Sequence, residues 1–346
     1  MRVVLADPPA FTPPYDDALA AALARAGAEV ELVTSRFRFG PAPAPEGYAR
    51  SELFYPLSSR LFRRSRLRLP LKALEHPLGL ARLRARPADV LHLQWLAWPE
   101  LDARLLRHRA PLVFTAHDLL PRRTAAKSAL WRRFFARCER VVVHSERGRD
   151  ALAGLGLAGE KLRVIPHPVF PSDPERRDDG RTVLALGVIR PYKQLEHAAE
   201  AVRRVKGARL LVAGDPTCPL PRLDGAELRL GYLSRPEVER ALGDATVAVF
   251  PYRAELDQSG ALLQALGAGV PAVVYDVAGL GEVVSRYGAG RVVPPGDLEA
   301  LAAALGELLD DAEALEAARA GARRARAELT WDASAAAHLA LYEELL

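Results

Sequence analysis

Short runs of apolar residues alternate along this chain with segments whose apolar positions recur at helical spacing. The first run, 3–6, is followed by a helical pattern over 16–26 that ends at Gly27, and then by a second run over 30–34. Further apolar runs cover 90–94, 112–115, 141–143 and 163–165. Because strands that alternate with helices usually pair in parallel, this order predicts a doubly wound α/β domain.

The same alternation begins again near residue 183. Strands are predicted over 183–186, 209–213, 228–230, 247–250 and 272–275, and helices over 193–205, 236–242, 261–266, 298–309, 312–327 and 331–345. The stretch 166–180 is rich in proline and turn-forming residues, so we interpret it as a linker. The sequence therefore predicts two Rossmann-like, doubly wound parallel-sheet domains over 1–170 and 171–330, followed by a helix over 331–346.

Residues 35–88 interrupt the first series with proline-rich and arginine-rich sequence. Within this segment, apolar residues alternate with Arg60, Arg63, Arg64, Arg66 and Arg68. We interpret the segment as an insertion on the side of a ligand cleft or of a membrane. Arginine beside apolar side chains suits an anionic lipid surface, so peripheral docking on such a membrane is a hypothesis.

Composition fits a globular protein. Hydrophobic residues make up 49% of the 346 positions and charged residues 26%, and no apolar run approaches the ~18 residues of a membrane span. The first apolar run is too short for the core of a signal peptide, so we expect a cytoplasmic protein, with the inner face of the membrane as a docking place. The cysteines, Cys138 and Cys218, supply neither a disulfide framework nor a CxxC metal site.

Charge is divided unevenly between the two halves. Residues 1–170 contain 28 Lys and Arg against 16 Asp and Glu, whereas the remainder contains 20 against 27. Three explanations fit this division: the two halves attract each other across a cleft, the protein attracts an anionic substrate, or the basic half presents a face to anionic lipid. A solvated arginine-rich surface explains the same numbers, so charge alone does not decide.

Candidate chemistry in the first half lies at strand ends, because ligands of open parallel sheets bind beyond the carboxyl ends of the strands. Three apolar strands lead into histidine, at His92, His117 and His144. His117 is the strongest candidate because it follows its strand and precedes Asp118, which could orient the ring. A helix-capping or hydrogen-bonded core histidine is the open alternative.

The second half opens with a strand that leads through Gly187 to Arg190 and Lys193, just before a predicted helix. Two cations in this position can bind a diphosphate, Arg190 through its forked guanidinium and Lys193 as a point charge. A cation-rich surface turn is the alternative reading.

Another helix N-terminus is predicted at Ser259 and Gly260. Its backbone amides attract phosphate or sugar oxygens, and Gly260 allows a ligand to approach closely. Asp257 precedes this helix, where it could accept hydrogen bonds from sugar hydroxyls or act as a plain cap. Gln264 lies farther along the helix, and Glu282 ends a glycine-rich turn after the next strand.

Motifs of other protein classes do not occur in the positions that those classes require. No G-x-G-x-x-G follows the first strand, and neither GxxxxGK[ST] nor GxSxG occurs. These absences disfavour dinucleotide oxidoreductases, kinases and hydrolases. A nucleic-acid-binding module is disfavoured as well, because interleaved aromatic residues and a recognised motif are lacking.

The ordered set of these segments resembles the family-4 retaining glycosyltransferases of the GT-B fold over nearly the whole chain. The matching segments are 115–118, 143–146 and 165–168 in the first half, and 187–193, 231–234, 249–252 and 259–282 in the second. The resemblance implies two Rossmann-like domains that face a cleft, with a C-terminal helix crossing back to the N-terminal domain. It implies an acceptor side in the first domain and a nucleotide-sugar donor side in the second.

The resemblance also implies roles for single residues. Arg190 and Lys193 would hold the donor diphosphate, and His117 would lie beside the transferring sugar, with Asp257 as the fourth catalytic position. Donor contacts are implied for Gly187, Tyr252, Ser259, Gly260, Gln264 and Glu282, and acceptor-side contacts for Tyr15, Asp118 and His144. The family's E-x7-E element is altered, because Asp257 stands near its first position and Gln264 replaces the second glutamate.

The expected reaction is transfer of a sugar, a hexose on this resemblance, from a nucleotide-diphosphate donor to a hydroxyl of a glycan, lipid-linked or small-molecule acceptor. The resemblance implies retention of configuration, with no metal and no cofactor. Two alternatives stay open: a sugar-nucleotide epimerase, which would need no acceptor, and an idle nucleotide-sugar-binding partner, which would never turn over.

Overall fold

The computed structural model describes residues 1–38, 42–61, 65, 67–120, 123–253 and 258–346. The chain forms two compact units. Unit 1 comprises Met1–Pro166 together with Trp331–Leu346, and unit 2 comprises His167–Thr330. The chain therefore leaves unit 1 once and returns to it for its final helix.

Within the described residues, unit 1 contains a sheet of seven parallel strands. In chain order these are β1 (Arg2–Asp7), β2 (Glu29–Ser35), β3 (Ala49–Phe54), β4 (Val90–Leu93), β5 (Leu112–Thr115), β6 (Arg140–Val143) and β7 (Leu162–Val164). Across the sheet the order is β3-β2-β1-β4-β5-β6-β7, so the winding reverses between β1 and β4. Loops diverge at such a switch point and leave room for a ligand.

Helices complete unit 1. They are α1 (Pro13–Arg25), α2 (Arg68–Arg84), α3 (Pro99–Leu105), α4 (Ser128–Phe135), α5 (Glu146–Gly154) and, distant in sequence, α12 (Trp331–Glu343). Helix α12 packs on α1, where Arg25 donates to Asp332 at 2.7 Å. Its Tyr342 hydroxyl lies 2.6 Å from Nδ1 of His92 on β4.

Unit 2 repeats the architecture with six parallel strands among the residues described. They are β8 (Thr182–Leu186), β9 (Arg209–Gly214), β10 (Glu227–Leu230), β11 (Val247–Phe250), β12 (Ala272–Tyr275) and β13 (Gly290–Val293), in the order β10-β9-β8-β11-β12-β13. The helices are α6 (Leu195–Arg204), α7 (Arg235–Asp244), α8 (Gly260–Gly267), α9 (Ala278–Tyr287), α10 (Leu298–Asp310) and α11 (Ala312–Glu328). Here the winding reverses between β8 and β11.

Four inner strands, β4, β5, β11 and β12, are buried at every position. Such continuous burial is typical of parallel sheets covered on both faces, and it explains why the sequence shows these strands as plain apolar runs. The predicted fold class, two Rossmann-like doubly wound parallel-sheet domains, is confirmed.

The interpretation of 35–88 as an insertion is wrong. The segment contains β3, which pairs in parallel with β2 at the sheet edge, and α2, whose Leu80 and Leu83 are buried in the core. Strand β3 has no apolar run because an edge strand is only partly buried, and Arg50 and Glu52 lie within it. Of the predicted arginine cluster, Arg63, Arg64 and Arg66 lie outside the described residues.

Two local predictions in unit 2 also differ from the structure. The glycine-rich segment after β12, interpreted as a turn, is helix α9. The predicted helix 193–205 is divided at Gln194, whose φ of 47° separates the short 3-10 turn Pro191–Lys193 from α6. Left-handed backbone is uncommon for glutamine, so this turn is held by its surroundings.

Candidate active site

The predicted donor residues of unit 2 lie at the carboxyl edge of its sheet, beside the switch point. Gly187 follows β8, Tyr252 follows β11, and Ser259 begins α8. Gly187 has a φ of 96°, a conformation that favours glycine. A β-carbon added there would meet Lys193 Nζ at 3.0 Å and Ala261 Cβ at 3.2 Å. The lysine and the start of α8 therefore converge on Gly187.

Lys193 is a buried cation. Its Nζ donates to the Leu186 carbonyl at 2.8 Å and lies 5.2 Å from the centroid of the Tyr252 ring. Burial, and then the nearby charge of Arg190, lower the pKa of Lys193 to about 7. A carbonyl oxygen and an aromatic face stabilise a buried ammonium less than an anion does. This lysine is therefore suited to gain a proton and an anionic partner together.

Arg190 brings a second positive charge close to Lys193. It is exposed and immediately precedes the turn Pro191–Lys193. No carboxylate in the described part of the chain forms an ion pair with its guanidinium, which leaves the forked donor available to a ligand. The fold thus brings together the two cations that the sequence singled out.

Ser259 is the N-cap of α8. Its Oγ accepts from Leu262 N at 3.3 Å, and its own N donates to Gln258 Oε1 at 3.1 Å. Gln258 Nε2 in turn donates to Gly279 O at 3.3 Å, which joins the starts of α8 and α9. Gly260 is exposed, and a β-carbon there would find nothing nearer than 3.9 Å. The helix terminus is therefore firmly placed and open to a ligand.

Tyr252 has a buried hydroxyl close to these groups. The side chain is 2% exposed and packs edge-on against the Tyr192 ring at 5.4 Å. Burial, and then Tyr192, raise the pKa of Tyr252, although the nearby Ser259 side chain offsets part of the rise. Its hydroxyl makes no hydrogen bond of normal geometry among the described residues. A buried donor without an acceptor is costly, and a ligand oxygen would supply the acceptor.

The remaining predicted donor residues lie on the two helices that start here. Gln264 lies on α8 one turn beyond Gly260, and Glu282 lies one turn into α9; both are half-buried. Asp257 lies outside the described residues. Gln258, whose side chain connects the starts of α8 and α9, was not predicted as a site residue. The sequence feature that could have indicated it is its position next to Ser259.

In unit 1, His117 is buried at the carboxyl edge of the sheet, after β5. Its Nε2 lies 3.0 Å from Gln94 Oε1, and its Nδ1 lies 3.3 Å from His144 Nε2. The ring stacks on Trp95 with centroids 5.2 Å apart and meets the Tyr15 ring edge-on at 4.8 Å. These contacts fix both the position and the plane of the imidazole.

His144 sets the tautomer of His117. Its Nδ1 lies 2.9 Å from the Ile165 carbonyl oxygen, which can only accept, so Nδ1 carries the proton. Burial lowers the pKa of His144 to about 4, which leaves the ring neutral with Nε2 as an acceptor. His117 therefore donates from Nδ1, and its Nε2 is an acceptor. The Gln94 carboxamide must then present its Nε2, which has no other partner among the described residues, rather than its Oε1 to this ring. Asp118 follows His117 and is half-buried.

Tyr15 fills the space behind the histidines. Its ring is buried and lies next to His117, His144 and Trp331, the first residue of α12. Burial raises the pKa of its hydroxyl, so the phenol stays neutral. The structure thus gives Tyr15 a packing position, linking the histidines to the returning helix.

Sequence reasoning missed Asp7, Gln94 and Trp95. Asp7 Oδ2 accepts from Phe11 N at 2.6 Å and Thr12 N at 3.1 Å, and Trp95 Nε1 donates to Thr12 Oγ1 at 2.8 Å. These bonds join the proline-rich loop after β1 to the loop after β4, and they leave Phe11 56% exposed beside Trp95. The available signal was position, because Asp7 ends β1 and the other two residues directly follow β4, the two strands beside the switch point.

Two family models match the chain one after the other. The model described as Glycosyltransferase Family 4 matches residues 17–173, and the model described as Glycosyl transferases group 1 matches residues 180–311. Together they cover most of both units.

Curated relatives and solved structures agree with these matches. The D-inositol 3-phosphate glycosyltransferase of Mycolicibacterium smegmatis is 27% identical, over 94% of this chain and 84% of that protein. The MMP α-(1→4)-mannosyltransferase of Mycolicibacterium hassiacum is 30% identical, over 60% of this chain and 54% of that protein. The chain thus spans about half the length of the mannosyltransferase, and it spans 20% of another curated relative.

The fold likeness extends over the whole chain. The structure of Anabaena HepE in complex with UDP-glucose matches with a TM-score of 0.72 at 14% identity, covering 99% of this chain and 100% of that one. At such low identity the likeness concerns the fold alone. The fold of the two units is of the GT-B type. The two consecutive family matches show that the chain belongs to the glycosyltransferases of family 4 and group 1.

Proposed function

We propose that the protein transfers a sugar from a nucleoside-diphosphate sugar to a hydroxyl group of an acceptor. The observation that carries the proposal is the convergence of the buried Lys193 and the open N-terminus of α8 on Gly187. A departing diphosphate gains negative charge as the anomeric bond breaks, and fixed positive groups stabilise it. A sugar nucleotide also occurs in the related fold of HepE, which was solved with UDP-glucose.

We assign the following roles in unit 2, and the geometry of Lys193, Tyr252 and α8 supports them. Lys193 takes up a proton as the diphosphate binds and donates to its oxygens, while Arg190 donates a pair of hydrogen bonds from the surface. The Tyr252 hydroxyl and the first amides of α8 donate to further oxygens. The remaining polar contacts to ribose and sugar hydroxyls are assigned to Asp257, Gln264 and Glu282.

The proposed transfer retains the configuration of the sugar. The acceptor oxygen bonds to the anomeric carbon on the face that the diphosphate leaves, and the acceptor proton passes to a diphosphate oxygen. In unit 1, His117 is assigned to the sugar and is held in place by its neighbours. Because protein cations and amides supply the positive charge, the reaction needs no metal ion.

A panel of nucleotide sugars tests the donor site. We expect one nucleoside diphosphate and its sugar derivative to raise the melting temperature, because a ligand that binds only the folded state stabilises it. Gly260→Val should abolish this rise without lowering the melting temperature of the free protein, since the position has room for a side chain but lies over the amides of α8. Gly306→Val, on α10 with similar room, is the control.

The products separate the alternatives. Glycosylated acceptor together with free nucleoside diphosphate supports the transferase. An isomerised sugar formed without an acceptor would identify an epimerase, and donor binding without turnover for any acceptor would identify an idle binding partner. A panel in which no nucleotide sugar stabilises the protein contradicts the assignment of unit 2.

We further propose peripheral docking of unit 1 on anionic membrane through α2. No helix among the described residues is long and apolar enough to cross a bilayer. Leu74 and Leu78, however, are 71% and 60% exposed, and Arg82 follows them on the same face. The only acid of α2 is the buried Glu75, whose carboxylate accepts from two backbone amides. An exposed apolar face that carries Arg82 and no exposed acid from its own helix fits an anionic lipid surface.

Co-sedimentation with vesicles tests this docking. The variant Leu74→Ser with Leu78→Ser should weaken binding to vesicles that contain phosphatidylglycerol by about tenfold or more, because it removes two insertable side chains. The control is Leu228→Ser with Leu230→Ser, a pair exposed on β10 of unit 2. Equal binding of both variants, or wild-type binding that does not depend on anionic lipid, argues against docking through α2.

A further inference from the structure

A cavity of about 630 Å³ lies at the amino edge of the unit 1 sheet. Leu91 on β4, Leu112 at the start of β5 and Leu106 before that strand line it. All three leucines are buried, so they form the floor of the cavity. Sites for small organic ligands usually measure about 300 to 1,000 Å³. The cavity therefore has room for an organic molecule with an apolar part.

Arginines form the wall around this floor. Arg107 and Arg109 are exposed, whereas Arg137 and Arg140 are half-buried, and all four line the cavity. No carboxylate in the described part of the chain forms an ion pair with the first three. Arg140 Nη2 lies 3.4 Å from Glu344 Oε2. The wall therefore offers several guanidinium groups to an anion.

Two carboxylates reduce the positive charge of the wall without cancelling it. Glu139 and Glu344 also line the cavity, and both are exposed. Glu344 Oε2 in addition accepts from Arg163, outside the lining, at 2.8 Å. Four arginines against two glutamates leave two positive charges around the cavity. An occupant with two negative charges would balance them.

His108 holds the loop that carries Arg107 and Arg109. Its Nε2 lies 3.0 Å from the Arg86 carbonyl oxygen, and its Nδ1 accepts from Ala110 N at 3.0 Å. Burial lowers the pKa of His108, which favours the neutral ring that these two bonds require. Both ring nitrogens are thus used within the fold. The histidine positions the two flanking arginines and adds no charge.

Arg137 and Arg107 face the same cavity from different elements. Arg137, after α4, donates from Nη1 to the Ala103 carbonyl of α3 at 2.7 Å, and Arg107 donates from Nη1 to the Leu106 carbonyl at 2.9 Å. Burial, and then the charge of Arg107, lower the pKa of Arg137. Like charges that are partly withdrawn from water cost free energy, and an anion between them offsets that cost.

The cavity lies at the opposite edge of the sheet from the histidine pair. Leu112 and Arg140 stand at the starts of β5 and β6, whereas His117 and His144 follow the ends of the same two strands. An occupant of the cavity therefore touches neither histidine. It is a ligand distinct from the sugar that we assign to His117.

We propose that this cavity binds a phosphate monoester, with the phosphate among Arg107, Arg109 and Arg137 and the organic part on the leucine floor. A phosphate monoester carries close to two negative charges at pH 7, which matches the charge of the wall. Forked guanidinium groups fit its oxygens, and the leucines bury an apolar substituent. The site goes beyond the proposed function, because its ligand is neither the donor nor the acceptor of the transfer.

Calorimetric titration with phenyl phosphate tests the site. We expect saturable binding that is tighter than that of inorganic phosphate, which lacks the apolar part, and of benzoate, which carries one charge. The double variant Arg107→Gln with Arg109→Gln should weaken phenyl phosphate binding by about tenfold or more. Its melting temperature should stay level, because both side chains are exposed.

Two controls locate the probe. Arg104→Gln with Arg132→Gln replaces two exposed arginines, on α3 and α4, that do not line the cavity, and this variant should bind phenyl phosphate like the wild type. Lys193→Met, in unit 2, should also bind it unchanged, whether or not unit 2 takes a nucleotide sugar.

Several results would overturn the site. They are absence of phenyl phosphate binding, equal affinity in the Arg107 and Arg109 variant and the wild type, or an equal loss in the Arg104 and Arg132 variant. Binding that disappears in Lys193→Met would place the probe in unit 2 instead. Benzoate that binds as tightly as phenyl phosphate would reject a phosphate monoester as the ligand. A lower melting temperature of the Arg107 and Arg109 variant would mean that these arginines support the fold.

Discussion

Replacing Lys193 by methionine should lower the rate of sugar transfer by roughly 100-fold and leave the protein at least as stable as before. The loss follows from removing a charge-assisted interaction with the departing diphosphate, which is worth about 1.5 to 3 kcal/mol. Stability should not fall, because methionine keeps the length of a side chain whose charge is buried beside a carbonyl and an aromatic ring. Initial rates and melting temperatures of the same preparation check both statements.

Lys206→Met is the matched control for this substitution, because Lys206 is an exposed lysine of unit 2. It should change neither rate nor stability. Unchanged turnover in Lys193→Met would contradict its role at the diphosphate, and a large drop in melting temperature would mean that Lys193 supports the fold instead.

The pH dependence of stability gives a second readout of Lys193. The pKa of Lys193 is about 7 in the folded protein, whereas the unfolded chain has the ordinary lysine value of 10.5. Between these two pH values the unfolded chain therefore binds one more proton than the folded protein. Stability should therefore rise as the pH increases from about 7 to about 10 and be lower below pH 7, where the buried amine is charged. Lys193→Met should lack this contribution. Donor affinity should show the opposite trend and fall above pH 7, because the diphosphate requires the ammonium form.

Truncating Tyr342 to alanine should destabilise the protein by about 3 to 5 kcal/mol, the usual cost of deleting a large buried ring. Tyr342 is fully buried, and its hydroxyl bonds to His92, whose Nδ1 would lose its partner. For a unit of this size the melting temperature should fall by roughly 6 to 20 °C. Thermal unfolding followed by calorimetry measures the change.

Two further variants separate packing from hydrogen bonding at Tyr342. Tyr342→Phe keeps the ring and should cost only about 1 kcal/mol, the usual value of one hydrogen bond. Leu346→Ala changes an exposed side chain beyond the same helix and should leave stability unchanged. A loss below about 1 kcal/mol in Tyr342→Ala would show that α12 contributes little to the stability of unit 1.

Burial decided which strands could be predicted from the sequence. Strands β4, β5, β11 and β12 are buried throughout and stand out as apolar runs. The edge strands β3 and β13 are mostly half-exposed and carry charged residues or glycine, so their pairing is set by the neighbouring strand rather than by their own pattern.

The residues of the candidate site also differ in whether the sequence could predict them. Lys193 and Ser259 could be predicted because each stands just before a helix, a position with a local meaning in sequence. The partners of His117 could not, since Gln94 and His144 come from two other strands and meet it only across the sheet. The link from Gln258 to Gly279 is likewise a contact between separate loops.

The proposed donor site depends on one buried lysine, Lys193, rather than on the charge asymmetry of the sequence. Many arginines form exposed ion pairs, such as Arg235 with Glu239, which contribute little to stability. Lysine occurs at only five positions, and burial lowers the pKa of two of them, Lys72 and Lys193. Arginine keeps its proton in such surroundings, whereas lysine can exchange one when an anion arrives.

The return of the chain to unit 1 after residue 330 has a consequence for synthesis on the ribosome. Unit 2 is a continuous stretch, His167–Thr330, and can fold as soon as it has emerged. Unit 1 cannot complete its fold until later, because Trp331 and Tyr342 are synthesised only after all of unit 2 has been translated. During that interval the surface of α1 that α12 will cover is exposed, and nascent chains stalled just before residue 331 should therefore recruit chaperones that bind apolar surface.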